Sequence, residues 1–334
     1  MSSRARFTLI SRRRAGTRGA PGVTSLDRAG DRVLRGLCAL AGVAVVLTLV
    51  DVAYQVINNA RPSIDRFGLG FVVHTAWVPN FHVFGAAAWI YGTVVSSLLA
   101  LVIATPLGIA VGLYLAVIAR PGVRAVIGPL VEMLAAIPSV ILGFWGIIVL
   151  APFIDRHIEP ALHDALGFIP LFGAPQTTGL SIFTAATVLT LMILPIISAL
   201  SRDMFLTVPQ ELRDAAAALG ATRWEIIRGV ILPTTMSGVA AATVLGLGRA
   251  LGEAIAVAQV VGDGNGIHPS LFSLGGSLAS RIALDFTTAT GDFLAALFYL
   301  ALVLLVISLL TTLAARAIAG RFDVERAYAR AVAV

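Results

Sequence analysis

Two ionisable residues, Arg249 and Glu253, stand inside the apolar run VLGLGRALGEAIAVAQVVG. At a spacing of four they would share one face of a helix. An arginine at the centre of a bilayer costs about 2.5–3.5 kcal/mol on insertion scales, so such a residue is expected to face a cavity or a partner. A guanidinium binds tetrahedral oxyanions through several N–H groups. Two readings stand side by side. One is a salt bridge that locks a helix bundle. The other is a transient anion site, in which Glu253 orients Arg249 and weakens its grip so that the anion is released. Gly246, Gly248 and Gly252 would let another helix come close.

Other reactive side chains are few. Glu132 is a second acid in an apolar run, six residues before Pro138. A place near a cavity and a place near the membrane surface are equally open to it. Asp51 falls near the end of the first apolar run and can snorkel outward. The five histidines, His74, His82, His157, His163 and His268, are scattered. No pair has the helical spacing of metal ligands, so no metal is expected. Cys38 is the single cysteine, which rules out an internal disulfide and reads as an apolar filler. All 24 basic residues are arginine. Without lysine there is no Walker-type, Schiff-base or general-base lysine. No cofactor is expected, and any ATP consumed must be bound and hydrolysed by another chain. The absence of a nucleophile–base or metal constellation argues against a membrane-embedded enzyme.

The second feature is TVPQELRDAAAALGATRWEIIRGVILP, Thr207 to Pro233. Thr207 and Gln210 have capping-box spacing, with Pro209 in the first turn. Leu212, Ala215, Ala216 and Leu219 recur at helical spacing, and Glu211, Arg213 and Asp214 are expected to face away from them. Gly220 ends that helix. Thr222 and Glu225 form a second capping box. Two short capped helices joined at a glycine make a shaped knob, on which a partner is expected to dock.

These features sit among long apolar runs. Of 334 residues, 58% are hydrophobic and 13% charged, and the mean hydropathy is +0.92, as in multi-span membrane proteins. A basic tail is expected over 1–33, an all-α six-span domain over 34–318, and a second tail over 319–334. The spans are Leu34–Ile57, Trp89–Ile118, Ile127–Phe153, Ile182–Ser201, Thr234–Val261 and Phe293–Ala317, each near the roughly 20 residues that cross about 30 Å of hydrocarbon. Arginines concentrate in both tails, in Ala119–Ala125 and in Arg202–Pro233. The positive-inside rule therefore places both termini and the knob in the cytoplasm. Pro106, Pro129, Pro138 and Pro195 lie within apolar runs and need neighbouring helices to satisfy the freed backbone groups. Gly108 with Gly112 is a GxxxG pair, as is Gly248 with Gly252. Trp77, Trp89 and Trp145 are candidates for an interfacial belt, Trp89 foremost.

The knob resembles the cytoplasmic EAA loop of ABC importer permeases. Asp214-Ala215-Ala216, Gly220, Val230 and Leu232-Pro233 fall at that family's spacing, with Asp in place of Glu and Val in place of Ile. Gly248-Arg249-Ala250 and Gly252-Glu253 resemble the fifth span of Pst-type phosphate-importer permeases, with Ala254 and Ile255 standing where that pattern has Thr-Met. Two further stretches resemble the PstC-type subunit rather than the PstA type. They are Trp77-Val78-Pro79 with Phe84-Gly85-Ala86 and Tyr91-Gly92-Thr93, and Ile137-Pro138-Ser139-Val140 with Gly143-Phe144-Trp145-Gly146. The resemblance runs from about Trp77 to Ala317.

The resemblance implies the ABC type I importer permease fold, with a cytoplasmic coupling helix at 207–233. It implies a bacterial plasma-membrane permease subunit that forms half of a phosphate pathway. Its partners would be a PstA-like permease, a PstB-like ATPase dimer and a PstS-like external phosphate-binding protein, with no nucleic acid. Arg249 and Glu253 would line the pathway. Asp214, Ala215, Ala216, Gly220, Leu232 and Pro233 would form the coupling loop. An ABC importer of sulfate or molybdate is the nearest alternative. A secondary anion carrier would explain Arg249 but not the knob.

Overall fold

A computed structural model of the chain describes residues 25–175 and 178–320. It is helical. In chain order the α-helices are α1 (Ser25–Phe67), α2 (Gly70–Val73), α3 (Ala87–Leu113), α4 (Pro121–Ala135), α5 (Ser139–Trp145), α6 (Ala151–Phe153) and α7 (Glu159–Leu166), followed by α8 (Ile182–Leu206), α9 (Gln210–Ala218), α10 (Arg223–Ile226), α11 (Leu232–Gly252), α12 (Ile255–Val260), α13 (Leu278–Asp285) and α14 (Gly291–Ala319). Single π-turns at Tyr114–Ile118, Gly146–Leu150, Ile154–Ile158 and Ile227–Ile231 extend or join several of them. Six helical runs are long and apolar enough to cross a membrane: Arg32–Phe67, Ala87–Ile118, Ser139–Leu166, Ile182–Leu206, Arg223–Gly252 and Gly291–Ala319.

The number of spans agrees with the sequence reading, but several boundaries move. Helix α1 already begins at Ser25, inside the stretch expected to be a tail. Residues 1–24 and 321–334 of the two expected tails lie outside the described residues. The third span is not Ile127–Phe153. Pro138 is extended (ψ 137°) and caps α5, so Ile127–Ala135 belongs to a separate helix, α4, and the spanning run starts at Ser139. Proline disfavours the α region for the residue before it and cannot donate an i→i−4 bond. Pro106 and Pro195, by contrast, sit inside unbroken α3 and α8.

By contact density the chain forms two units, Met1–Tyr54 and Gln55–Val334. The first, as far as it is described, is the N-terminal part of α1, with Leu34–Val50 exposed along its whole circumference. The second is built around α8. Leu189, Ile193 and Ile197 there are buried and form the main core with Ala100 and Ala104 of α3 and Val257 and Val260 of α12. Helices α3 and α8 pack closely because α3 presents Gly108 and Gly112. A Cβ at Gly108 would stand 2.9 Å from Ile197, and one at Gly112 would stand 2.8 Å from the Ser198 carbonyl. This GxxxG pair is a real helix contact.

The end of this unit opposite the knob is closed by the segment between α12 and α13. Carbonyls of Ser273 and Leu271 accept the first free N–H groups of α8, from Ile182 (3.2 Å) and Phe183 (2.9 Å), which meets the demand of a helix N-terminus for acceptors. Beside it lies an aromatic cluster. Phe71 stacks on Tyr299 at 4.2 Å, Phe84 on Phe293 at 5.7 Å, and Trp77 meets Trp89 edge-on at 6.1 Å. Trp89 is therefore not a belt residue. It is 1% exposed, pressed against Gly276, where any Cβ would clash with its ring at 2.1 Å. Trp77 is likewise buried, and Trp145 is exposed.

Candidate functional site

The knob is real, but its first cap differs from the one expected. Thr207 does not cap α9. Its hydroxyl donates to the Met204 carbonyl at 2.7 Å and closes α8, while Pro209 precedes α9 with no side-chain cap. Proline can stand there because the position needs no N–H donor. The other end of α9 is a Schellman turn. Ala221 N–H donates to the Ala216 carbonyl (3.1 Å) and Gly220 N–H to the Ala217 carbonyl (2.9 Å). Gly220 sits at φ +89°, a left-handed conformation that costs a residue with Cβ about 1–2 kcal/mol. The Thr222–Glu225 capping box opens α10 as expected.

The faces of α9 agree with the sequence expectation only in part: Glu211 and Asp214 are exposed and Ala216 is half-buried, but Leu212, Leu219 and Arg213 depart from it. Leu219 is 91% exposed, and Leu212 and Trp224 are exposed with it. Arg213, expected on the face away from those apolar residues, is half-buried. Its Nη2 donates to the Phe205 carbonyl at the end of α8. Asp214, Ala215 and Gly220 are exposed. Leu232 and Pro233 lie apart from this tip, at the start of α11, where Leu232 packs on the cluster of Phe205, Val208, Ile227 and Ile231. The motif thus divides into an exposed tip and a root in which Leu232 is half-buried and Pro233 exposed.

From the root, α10, the π-turn and α11 form one helical run, Arg223–Gly252. At 1.5 Å per residue it is about 45 Å long. Arg249 lies near its far end, exposed, with no hydrogen-bond or ion-pair partner among the described residues. The run then stops. Glu253 leaves the helix with ψ 118°, and its Oε1 accepts the Ala256 N–H at 3.4 Å, at the start of α12. The expectation of one helix face shared by Arg249 and Glu253 is corrected by this break, as is the fifth span as a single helix over Thr234–Val261. No Arg249–Glu253 salt bridge forms. Both residues nevertheless line one cleft of about 990 Å³, bounded by α8 (Ile196, Leu200), α11 (Gly248, Gly252) and α14 (Thr312, Arg316). Gly248 and Gly252 open onto space, with no atom within 4 Å of a built Cβ. Gly246 instead packs against Ile197 of α8.

Two arginine clusters were not singled out in the sequence. Arg202, 19% exposed, bonds Glu132 at 2.7 Å and Asp203 at 2.9 Å. Glu132 is thereby placed at the knob-side end of α8, where it ties α4 to α8, and not in the Arg249 cleft. At the opposite end Arg281 binds Asp263 (2.7 Å) and Asp285 and lies 5.3 Å over the ring of Trp89. The i,i+4 spacing of Arg281 and Asp285 was a legible signal. The partnership of Arg202 with Glu132, 70 residues away, was not.

Residues 104–324 match the family model described as "Binding-protein-dependent transport system inner membrane component". The phosphate transport system permease protein PstC of Xylella fastidiosa (strain Temecula1) is 38% identical over 293 residues, covering 87% of this chain and 90% of that protein. PstC of Pasteurella multocida is 41% identical over 269 residues, 79% and 83%. PstC 2 of Mycobacterium tuberculosis is 36% identical over 318 residues, 90% and 96%. Among solved structures, a chain of a bacterial alginate ABC transporter, in complex with its alginate-pentasaccharide-bound periplasmic protein, superposes with TM-score 0.58 at 16% identity, covering 88% of this chain and 97% of that one. That likeness shows the fold alone, which is the ABC type I importer permease fold. The chain is thus a multi-pass protein of the bacterial inner membrane, and it belongs to the family of binding-protein-dependent transport inner-membrane components and, within it, to the PstC phosphate transport permeases.

Proposed function

We propose that this chain is one of two permease subunits of an ATP-driven phosphate importer. The observation that carries the reading is the single run Arg223–Gly252, which connects an exposed docking tip to a guanidinium in a cleft. The tip, Asp214 to Gly220 with Leu219 and Trp224, docks on an ATPase subunit that supplies the ATP site this lysine-free chain lacks. A PstA-like permease closes the cleft over Gly248 and Gly252. A PstS-like protein delivers phosphate from outside. The arginine-rich segments place the tip and both termini in the cytoplasm. The permease domain is taken as 34–318, with α1 reaching back to Ser25.

The physical sequence follows from these parts. Closure of the ATPase dimer moves the tip, and the rigid run transmits that movement, because its root is packed at Ile227 and Ile231. Arg249 offers its exposed, unpaired cation to the phosphate as the cleft opens. The guanidinium of Arg249, in a cleft that Arg316 also lines, binds an oxyanion through charge-assisted bonds without enclosing it, so the ion can leave. Glu253, across the break, adds a negative charge near the site and speeds release.

The test is reconstitution of this chain with a PstA-like permease, an ATPase and a binding protein in vesicles. ATP-dependent uptake of labelled phosphate, undiminished by excess sulfate or molybdate, is the expected result. Uptake of sulfate or molybdate in its place identifies a different oxyanion, and uptake without the ATPase identifies a secondary carrier.

A further inference from the structure

A second cavity, of about 890 Å³, lies under the knob and away from the Arg249 cleft. It is lined by the end of α3 and its π-turn (Ala116, Val117), by α4 through Arg124, and by Pro209, Arg213, Asp214 and Arg223. Three guanidinium groups face it against one carboxylate. Arg124 donates through Nη2 to the Ala116 carbonyl at 2.7 Å, and Arg213 through Nη2 to the Phe205 carbonyl. The Nε–H groups of both are buried and have no acceptor among the described residues. Arg223 makes no ion pair among the described residues. Asp214 is engaged by Gln210, whose Nε2 donates to its Oδ1 at 2.9 Å.

Buried guanidinium donors without acceptors are costly, and such groups in a native protein call for an explanation such as a bound ion. Carbonyl oxygens hold the arginines in place but do not neutralise them. Forked donors that line one cavity from three separate elements match the several acceptor oxygens of a phosphoryl group, not a single carbonyl. We propose that this cavity binds a phosphoryl oxyanion, either inorganic phosphate or the phosphate of a lipid headgroup. The bound anion would bridge Arg124 of α4 to Arg213 of α9. Because Arg213 also anchors α9 to the end of α8, occupancy would brace the tip that the ATPase engages. The site stands on its own geometry. Its consequence, feedback from the anion on coupling, rests on the import reading above.

The test uses the assembled complex without the binding protein. Saturable binding of labelled inorganic phosphate is measured in phosphate-free detergent for the wild type, Arg249→Gln, the double variant Arg124→Gln/Arg213→Gln, and Arg223→Gln. Arg223 is exposed and its side chain makes no hydrogen bond or ion pair among the described residues, so its variant is expected to keep the fold. Binding is expected to survive Arg249→Gln and to weaken about tenfold or more in the other two. In parallel, phosphatidylglycerol retained from nanodiscs is quantified for each variant. Phosphate binding lost with the arginines identifies a free-anion site. Phosphatidylglycerol retention lost with them identifies a headgroup site. If neither ligand depends on Arg124, Arg213 and Arg223, or if phosphate binding follows Arg249 instead, the proposal is overturned. The same holds if the only effect of the variants is loss of the ATPase from the complex, because the cavity then takes a side chain of that subunit. A chain that imports a different anion would still show this site, so its failure and the failure of the import reading are distinguishable.

Discussion

Arg249 and Glu253 line one cleft but do not pair, because the helix that carries Arg249 ends at Gly252 and Glu253 turns to the start of α12. The two residues therefore have separable roles. Arg249→Gln is expected to abolish uptake in the reconstituted system while the complex still assembles. Glu253→Gln keeps an acceptor for the Ala256 N–H and is expected to retain measurable uptake, within about tenfold of wild type, since weakening one cap costs on the order of 1 kcal/mol. Equal, complete loss in both would show that the residues act as a salt bridge in the working state.

Leu219 offers a sharper probe of docking than the adjacent glycine. It is 91% exposed, so Leu219→Asp should leave thermal unfolding of the permease unchanged. It should remove the ATPase from co-purified complexes. Gly220→Asp should do the same and also lower stability by about 1–2 kcal/mol, through its positive φ. Stoichiometric co-purification of the ATPase with Leu219→Asp would exclude this tip as the docking element.

The two GxxxG pairs make opposite predictions. Gly112 is pinned against the backbone of α8, so Gly112→Val should overpack the core and destabilise the chain by about 1–3 kcal/mol, read as a lower melting temperature of the purified protein. Gly248 opens onto space. Gly248→Val should leave that melting temperature within error and instead weaken association with the second permease, measured as loss of the heteromer on size exclusion.

Arg281 is the clamp at the end opposite the knob. Its side chain is 14% exposed, with Asp285 (13% exposed) beside it and Trp89 beneath. Arg281→Met would leave the Asp285 carboxylate without its cation. Breaking one side of a fully buried pair costs about 3–5 kcal/mol; this pair keeps some solvent contact, so a smaller but clear drop in thermal stability is expected. The double change Arg281→Met/Asp285→Leu should recover most of it, because both charges are then gone. Failure of the double variant to recover would place the stabilising contact on Trp89 or Asp263 instead.

Amino-acid order alone was enough for six apolar runs, the Thr222–Glu225 box and the stop at Gly220, while only the structure showed that Gly108 and Gly112 pack on α8 and Gly248 and Gly252 do not. The runs, the box and the stop depend on local propensity and on spacing along one helix, and both are written in neighbouring residues. The tertiary structure decided which proline breaks a helix. Pro106 and Pro195 run through α3 and α8, while Pro138 separates α4 from α5, because the outcome turns on what surrounds each proline and not on the proline itself. It decided that Leu219 points outward and Arg213 inward, since the face of a short helix is set by what its flanks are anchored to. It also decided which charges meet. Arg202 finds Glu132 from 70 residues away, while Arg249 and Glu253, only four apart, are separated by a break. Proximity along the chain is a prior on contact, and the packed backbone determines the contact itself.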